Sequence, residues 1–346
     1  MGGPVGGTVG RTVGSAIVGL AASSFLATPV FGQQVLLIPD SANDKVWAFD
    51  PFDGALISDN FIPDDGRLVQ PIAAIDSGFS SVLISDELAD AVFEYSYNGV
   101  YLRTIVPTTA GIDSPFGMTI ANGWLYVASP TQRKVYRCKP DGTELSVWWD
   151  AAPFNAAPRD LLVREGDVLV TDSQKDAIER VSFAGAYLGS LVDSDGITGI
   201  DFPNQLDAIP GGVVVAGFNA PIGLYVYDDA GPQDFVATNL ATAPRGVRLL
   251  GTGEFLYTGG TRVMAYNPST LSERTIINQS GANFRFVEEI SLSSPCPGDL
   301  TSDGVVDGAD LAVVLGAWGS PVADLDGNGV TNGADLSILL GSWGDC

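Results

Sequence analysis

The sequence contains no histidine. That gap removes imidazole acid–base chemistry, histidine-assisted nucleophiles and histidine-ligated zinc. Any catalysis would have to rest on carboxylates, Tyr, Lys, Arg or a bound metal. Basic residues are also scarce, with 17 Lys and Arg against 41 Asp and Glu and a formal charge of −24. Binding to a phosphate backbone needs a basic surface, so nucleic acid is excluded as a partner. After Arg285 there is neither Lys nor Arg, while Asp keeps recurring. A carboxylate-rich segment without counter-charges stays solvated or binds cations. Only the N-terminus carries an apolar run approaching the length of a membrane span. Charged residues make up 17 % of the chain and glycines number 42, a balance that suits a turn-rich β protein better than a helical one.

Arg11 is the only charge among the first 39 residues, and "TVGSAIVGLAASSFLATPVFG" follows it. Val30 and Gly32 stand at −3 and −1 before Gln33, the small-residue pattern of a cleavage site. The run is rich in Gly and Ala and is broken by Pro29. It therefore reads as a signal segment over residues 1–32 rather than a retained anchor. The mature protein is expected outside the cytoplasm, secreted or at the cell surface or periplasm, with no transmembrane segment after cleavage.

From Gln33 to Ser291 one unit recurs six times. "VLLIPDSANDKVWAFDPFDGAL", "VLISDELADAVFEYSYNGVYL" and "VLVTDSQKDAIERVSFAGAYL" show it best, each a β-rich run, a polar turn, a second β-rich run and a Gly turn. The first runs end near Asp40, Asp86, Ser129, Asp172, Gly217 and Thr258, 41 to 46 residues apart. A short strand opened in most cases by proline precedes each later copy, as in "SPFGMTIA" and "APRDLLVR". A fourth strand follows the Gly turn. Four strands at this period describe a propeller blade. The first copy lacks a leading strand, and "NFRFVEEIS" near residue 290 supplies one, which closes a six-bladed ring. The pattern resembles the NHL-type repeats of six-bladed β-propellers. That resemblance implies architecture, because propellers serve enzymes, binders and scaffolds alike.

The residue after each proline falls at one equivalent position: Ile72, Phe116, Arg159, Asn204, Arg245 and, by alignment, Arg285. Arg159, Asn204, Arg245 and Arg285 would share a ring at the channel mouth. One reading is an anion site for a uronic acid or sulfated sugar, since guanidinium matches such groups bidentately. The other is that these arginines pair with Asp160, Asp207 or Glu288 and brace the channel. Some six-bladed relatives are calcium-dependent lactonases or lyases. Asp160, Asn204, Asp207 and Glu288 form only a scattered set toward such a site, and no catalytic residue stands out.

The chain ends on a duplication, "GDLTSDGVVDGADLAVVLGAWG" and then "ADLDGNGVTNGADLSILLGSWG". Oxygen-bearing residues recur at positions 1, 3, 5, 9 and 12 of each loop. They are Asp299, Thr301, Asp303, Asp307 and Asp310, then Asp324, Asp326, Asn328, Asn332 and Asp335. The backbone carbonyls of Val305 and Val330 stand at position 7, and glycine stands at 6 for the sharp turn. This is the spacing of a calcium loop, so two Ca2+ are expected. Leu311, Val314, Leu315 and Trp318, and their counterparts Leu336, Leu339, Leu340 and Trp343, fall at i, i+3, i+4 and i+7. Each loop therefore leads into one short helix, and these faces are expected to pack together. A duplicated calcium loop–helix resembles a type I dockerin, an α-helical, EF-hand-like module. The resemblance implies a cohesin-like or surface scaffold partner. It departs from the family at Gly308-Ala309 and Gly333-Ala334, where hydroxyl residues are common. Cys296 and Cys346 bracket the tail, whose pseudo-twofold ends come together, and a disulfide between them is expected; Cys138 reads as a buried small residue.

The sequence thus divides into a signal segment (1–32), a six-bladed β-propeller (33–291), a linker (292–298) and a calcium module (299–346). The leading reading is a non-catalytic binding propeller attached through its tail, with an anionic glycan as one candidate ligand should the arginine ring bind rather than brace. The alternative is a polysaccharide hydrolase or lyase, or a lactonase, delivered the same way.

Overall fold

A computed structural model describes residues 1, 33–78, 80–228, 233–292, 298–301, 305–326 and 329–345. Residues 2–32 of the expected signal segment, Asp303 and Asn328 of the expected calcium loops, and Cys296 and Cys346 of the expected disulfide lie outside the described residues. Six four-stranded antiparallel sheets follow one another along the chain as the blades of a propeller. The second strand of a blade opens on a continuous apolar run, as in Val168–Asp172 and Gly212–Gly217, and is buried throughout, its polar end residues included. Blades packed face to face leave no solvent side for such a strand, so the sequence shows runs rather than alternation. The outer strands Tyr101–Val106 and Ser272–Asn278 have only one neighbour strand and carry the exposed polar residues.

The inner strands are Glu288–Ser291, Pro71–Asp76, Met118–Ala121, Pro158–Val163, Pro203–Ile209 and Gly246–Leu249. The first of these pairs antiparallel with Gln34–Asp40, setting Ser291 opposite Gln34. A strand from the far end of the propeller segment therefore completes the first blade.

Neighbouring blades are joined at the tops of the inner strands, alternately through a hydroxyl and a backbone N–H. The Ser85 hydroxyl donates to Phe116 O (2.5 Å), Thr171 to Asn204 O (2.7 Å) and Thr258 to Arg285 O. Between them Gly117 N donates to Arg159 O (2.8 Å), Gln205 N to Arg245 O (3.2 Å) and Phe286 N to Ile72 O (3.2 Å). All six post-proline positions are thus fixed through their backbone carbonyls. The junctions also refine the repeat. Thr258 is the counterpart of Ser85 and Thr171, so the last copy is one residue out of step with an alignment of Thr258 on Asp86 and Asp172. In the copies that carry aspartate at this position it is structural. Asp86 accepts from the N–H groups of Val69 and Gln70, and Asp172 from that of Ala157, just ahead of the ring residues.

The tail has two nine-residue helices, α1 (Gly308–Gly316) and α2 (Gly333–Gly341). Val305–Val306 pairs with Gly344–Asp345, in the turn after α2. Thr331, in the second loop, exchanges backbone hydrogen bonds with Gly319 and Ser320, in the turn after α1. Each loop is therefore held by the turn that follows the other helix. The small core contains Val306, Val314, Ala323 and Leu339, with Leu311 and Leu336 partly buried against it. Leu315, Trp318, Leu340 and Trp343 lie outside it, each half exposed. The expected apolar faces are thus only partly used, because the paired loop segments cover the core where those side chains would have packed.

Candidate functional site

The arginine ring opens a cavity of about 270 Å³. Arg159, Asn204, Arg245 and Arg285 all line it, together with Gln70, Glu87 and four phenylalanines. The cavity lies where the inner strands begin, so the blade junctions that hold the carbonyls also set the side chains. Aromatic faces orient the guanidinium groups. Arg159 lies over Phe116 (4.7 Å) and Phe202 (4.4 Å), and Arg245 lies over Phe218 (5.4 Å). Their edge contacts are with neutral partners. Arg159 reaches Asn204 Oδ1 (3.4 Å), Arg245 donates to Asn283 Oδ1 and Arg285 to Ser41 Oγ (2.7 Å). The Nε of Arg159 is buried and has no hydrogen-bond partner.

Among the described residues, no carboxylate forms an ion pair with any of these three arginines. Glu87 shares the cavity, but it accepts hydrogen bonds from Gln70 and Ser114. Burial lowers the pKa of Arg159 and of Arg285 to about 10; the charge of Glu87 opposes this at both, outweighing the repulsion from Arg245 at Arg159 but not at Arg285. They remain cationic at neutral pH. Three cations against one carboxylate thus face a single space on a strongly acidic protein. Ile72, Ala73, Phe116 and Phe286 pack together, the two rings crossing edge-on at 5.4 Å, and form an apolar floor.

The bracing pairs that the sequence offered as an alternative do not form. Asp160, Asp207 and Glu288 line a separate cavity of about 220 Å³, built from residues further along the same strands. Their basic neighbour is Arg248, which the proline spacing does not single out. It binds Asp207 (2.9 Å) and Glu289 (2.7 Å). Of the scattered carboxylate set, the structure brings three members together and leaves Asn204 with the arginines. Cys138 is a free, buried thiol whose pKa is pushed up to about 11 by burial and by Asp141.

In the tail, the carboxylates of Asp324, Asp326 and Asp335 have oxygens within 4.8 Å of one another. Asp335 is buried and accepts from the N–H groups of Leu325 (2.7 Å), Asp326 (3.1 Å) and Asn332 (2.7 Å). Those hydrogen bonds, that of Asn332 foremost, lower its pKa. One carboxylate thus ties the loop's start to the first turn of α2. Asp310 does the same in the first loop. Burial opposes its ionisation, but bonds from Asp307, Thr301 and Leu300 prevail and lower its pKa. Asp299 is buried nearby. Gly329, at position 6, has φ +91°, a left-handed conformation that only glycine adopts without strain. The second loop's oxygens lie at the spacing a calcium ion spans, about 2.4 Å to each ligand. The donors are all oxygen and the acids outnumber any local cation, so these residues fit Ca2+.

No protein-family model matches the chain, and no curated protein matches it. Solved structures do. A chain of a nidogen/laminin complex superposes with a TM-score of 0.64 at 17 % identity, covering 75 % of this chain and 99 % of that one. A streptogramin B lyase gives 0.54 at 13 % identity, covering 75 % and 93 %. A catalytically inactive histidine-to-alanine form of virginiamycin B lyase from Staphylococcus aureus, with quinupristin, gives 0.52 at 13 % identity, covering 73 % and 87 %. At these identities the likeness shows the fold alone, a six-bladed β-propeller. No helix among the described residues is long and apolar enough to cross a membrane.

Proposed function

We propose that the chain is an exported, anion-binding propeller attached to an extracellular or cell-surface partner by a calcium-dependent, dockerin-like tail. The observation that carries the binding reading is the trio Arg159, Arg245 and Arg285, partly buried around one cavity with no ion-paired carboxylate among the described residues. Taking a charge out of water is costly unless it is answered, and a bound anion answers three at once. The carboxylate or sulfate of an acidic sugar fits best. Guanidinium edges bind such groups bidentately, and the edges here meet only neutral groups, Asn204, Asn283 and Ser41, which an anion can outcompete. The apolar floor makes this a mouth-binding site rather than a route through the ring.

The enzymatic alternative has less support. The inactive lyase neighbour differs from its active form at one histidine, and this chain has none. Among the described residues Glu87 is the only carboxylate that lines the arginine cavity, so no acid–base pair of theirs faces a ligand there.

In the tail, Ca2+ would be held by Asp299, Thr301, Asp303, Asp307 and Asp310 with the Val305 carbonyl, and by the matching set from Asp324 to Asp335. Its role would be to neutralise clustered carboxylates and fix each loop. Gly308, Ala309, Gly333 and Ala334 are exposed, as are Leu315, Trp318, Leu340 and Trp343. A cohesin-like or scaffold partner would therefore meet an apolar surface here rather than a hydroxyl-lined one.

The test is a titration of the full chain with oligogalacturonate and with a neutral oligosaccharide of equal length. Binding is expected for the acidic sugar only, weakening with added salt. Arg245→Glu should cost at least about tenfold in affinity, roughly 1.4 kcal/mol. Equal binding of the neutral sugar, or an unchanged Arg245→Glu protein, would overturn the reading.

A further inference from the structure

The cavity at the arginine ring is not lined by cations alone. Glu87 lines it from the turn after Ser81–Asp86, partly buried, and two neutral donors hold its carboxylate. Gln70 donates to Oε2 and the Ser114 hydroxyl to Oε1 (3.4 Å). Gln70 stands just ahead of the inner strand Pro71–Asp76, and Ser114 shortly ahead of Met118–Ala121. Glu87 is therefore held over the second and third blades. The arginines come from other blades. Arg159 belongs to the fourth, Arg245 to the sixth and Arg285 to the segment that closes the first. Among the described residues Glu87 forms no ion pair with any of them. Its charge nonetheless acts on all three, opposing the fall in their pKa. Acceptor and donors thus line one cavity of about 270 Å³ without touching.

A ligand that suits both sides must present an anion to the arginines and hydrogen-bond donors to Glu87. A carboxylate has about four acceptor positions, and Gln70 and Ser114 occupy one on each oxygen. Sulfate and plain carboxylates have no donor for the positions that remain, and Glu87 repels them. A uronic acid has both kinds of group. Its carboxylate stands at one side of the sugar ring and its hydroxyl groups at the other. A site built to pair with a hydroxyl group discriminates strongly against an analogue that lacks it, because its own polar group is then left unanswered.

We propose that Glu87 is a specificity-determining residue, which accepts hydrogen bonds from the hydroxyl groups of a uronic acid whose carboxylate the arginines hold. The proposal rests on the anion-binding reading of this cavity and narrows its ligand from acidic groups in general to a uronate with free hydroxyl groups. A carboxylate that merely tempered the positive charge would behave in the opposite way. Neutralising it would then strengthen the binding of every anion, whereas neutralising a hydroxyl acceptor weakens the uronate and strengthens sulfate.

The experiment is calorimetric titration of the full chain, saturated with calcium, with three ligands. They are oligogalacturonate, the same sugar methylated on its hydroxyl groups, and inorganic sulfate. The unmodified chain should bind oligogalacturonate at least about tenfold more tightly than the methylated sugar. Glu87→Gln has the same shape and an amide that can still bond Gln70 and Ser114. It should weaken oligogalacturonate by about tenfold, leave no more than about twofold between the two sugars, and strengthen sulfate. Tighter binding of oligogalacturonate by the Glu87→Gln protein would overturn the proposal. So would equal affinity of the unmodified chain for the two sugars, or a preference that survives in Glu87→Gln, which would mark a steric clash of the methyl groups. In each of these cases weaker binding by Arg245→Glu would leave the anion-binding reading standing. No binding of oligogalacturonate by the unmodified chain would remove that reading, and this one with it.

Discussion

Arg159 and Asp160 are adjacent in sequence and serve opposite ends of one inner strand's chemistry: the first lines the cationic cavity, the second the acidic one. The arginine positions were legible because each follows a proline or its equivalent, and the blade junctions hold that offset constant. The acidic cavity was only partly legible. Asp207, Arg248 and Glu288 each stand three residues beyond the ring positions Asn204, Arg245 and Arg285, a shared offset, whereas Asp160 stands one beyond Arg159 and departs from it. Asp160 also carries a pH dependence. Its raised pKa means that the folded protein holds a proton which the unfolded chain releases in the ordinary carboxylate range. Stability therefore falls as pH rises from that range through the folded pKa. Asp160→Asn has no such proton to lose. Urea denaturation at pH 5.5 and pH 8.5 should show the variant gaining on the parent at the higher pH by about 1–2 kcal/mol. Parallel losses in both proteins would contradict this account.

Among the elements, the tail's loops were readable from ligand spacing, and the two helices from their apolar periodicity. Which apolar residues would be buried was not readable. The i, i+4 rule assigns Leu315 and Leu340 to the interior, but it takes no account of Val306 and Thr331, which come from paired loop segments and cover the same core. Because each loop is paired to the turn after the other helix, the two halves cannot respond independently. Asp335→Ala removes one of three clustered carboxylates and the tie from Leu325, Asp326 and Asn332 to α2. On the calcium-binding reading proposed for the tail, it should eliminate one of two sites and weaken the other by about tenfold or more, with lower helicity at subsaturating calcium. Calcium titration followed by far-ultraviolet circular dichroism would check this. An unaffected remaining ion would show that the halves act separately.

For the whole molecule, the decisive contact is the pairing of the first strand with a segment more than 250 residues later, Gln34 opposite Ser291. The repeat count made this ring readable, since six units with one missing leading strand leave only the chain's far end to supply it. Ile290 is buried there and stands opposite Val35. Ile290→Asp places an unanswered carboxylate at the closure and should cost at least about 3 kcal/mol. Thermal unfolding of the variant should lose its single sharp transition as the first and last blades open early. A transition as sharp as the parent's, shifted by no more than a degree, would mean that closure contributes little to cooperativity.

The closing strand is also the last of the propeller before the chain leaves for the tail. Tension applied anywhere beyond Leu292 therefore enters the ring at Ser291, the very residue set against Gln34. The geometry is that of a seam pulled from one end, in which backbone bonds to the first strand break in succession rather than sharing the load. The strand that leads to the tail and the strand that latches the ring are the same piece of chain, so the force at which the ring yields is set by the four residue pairs from Gln34–Ser291 to Leu37–Glu288.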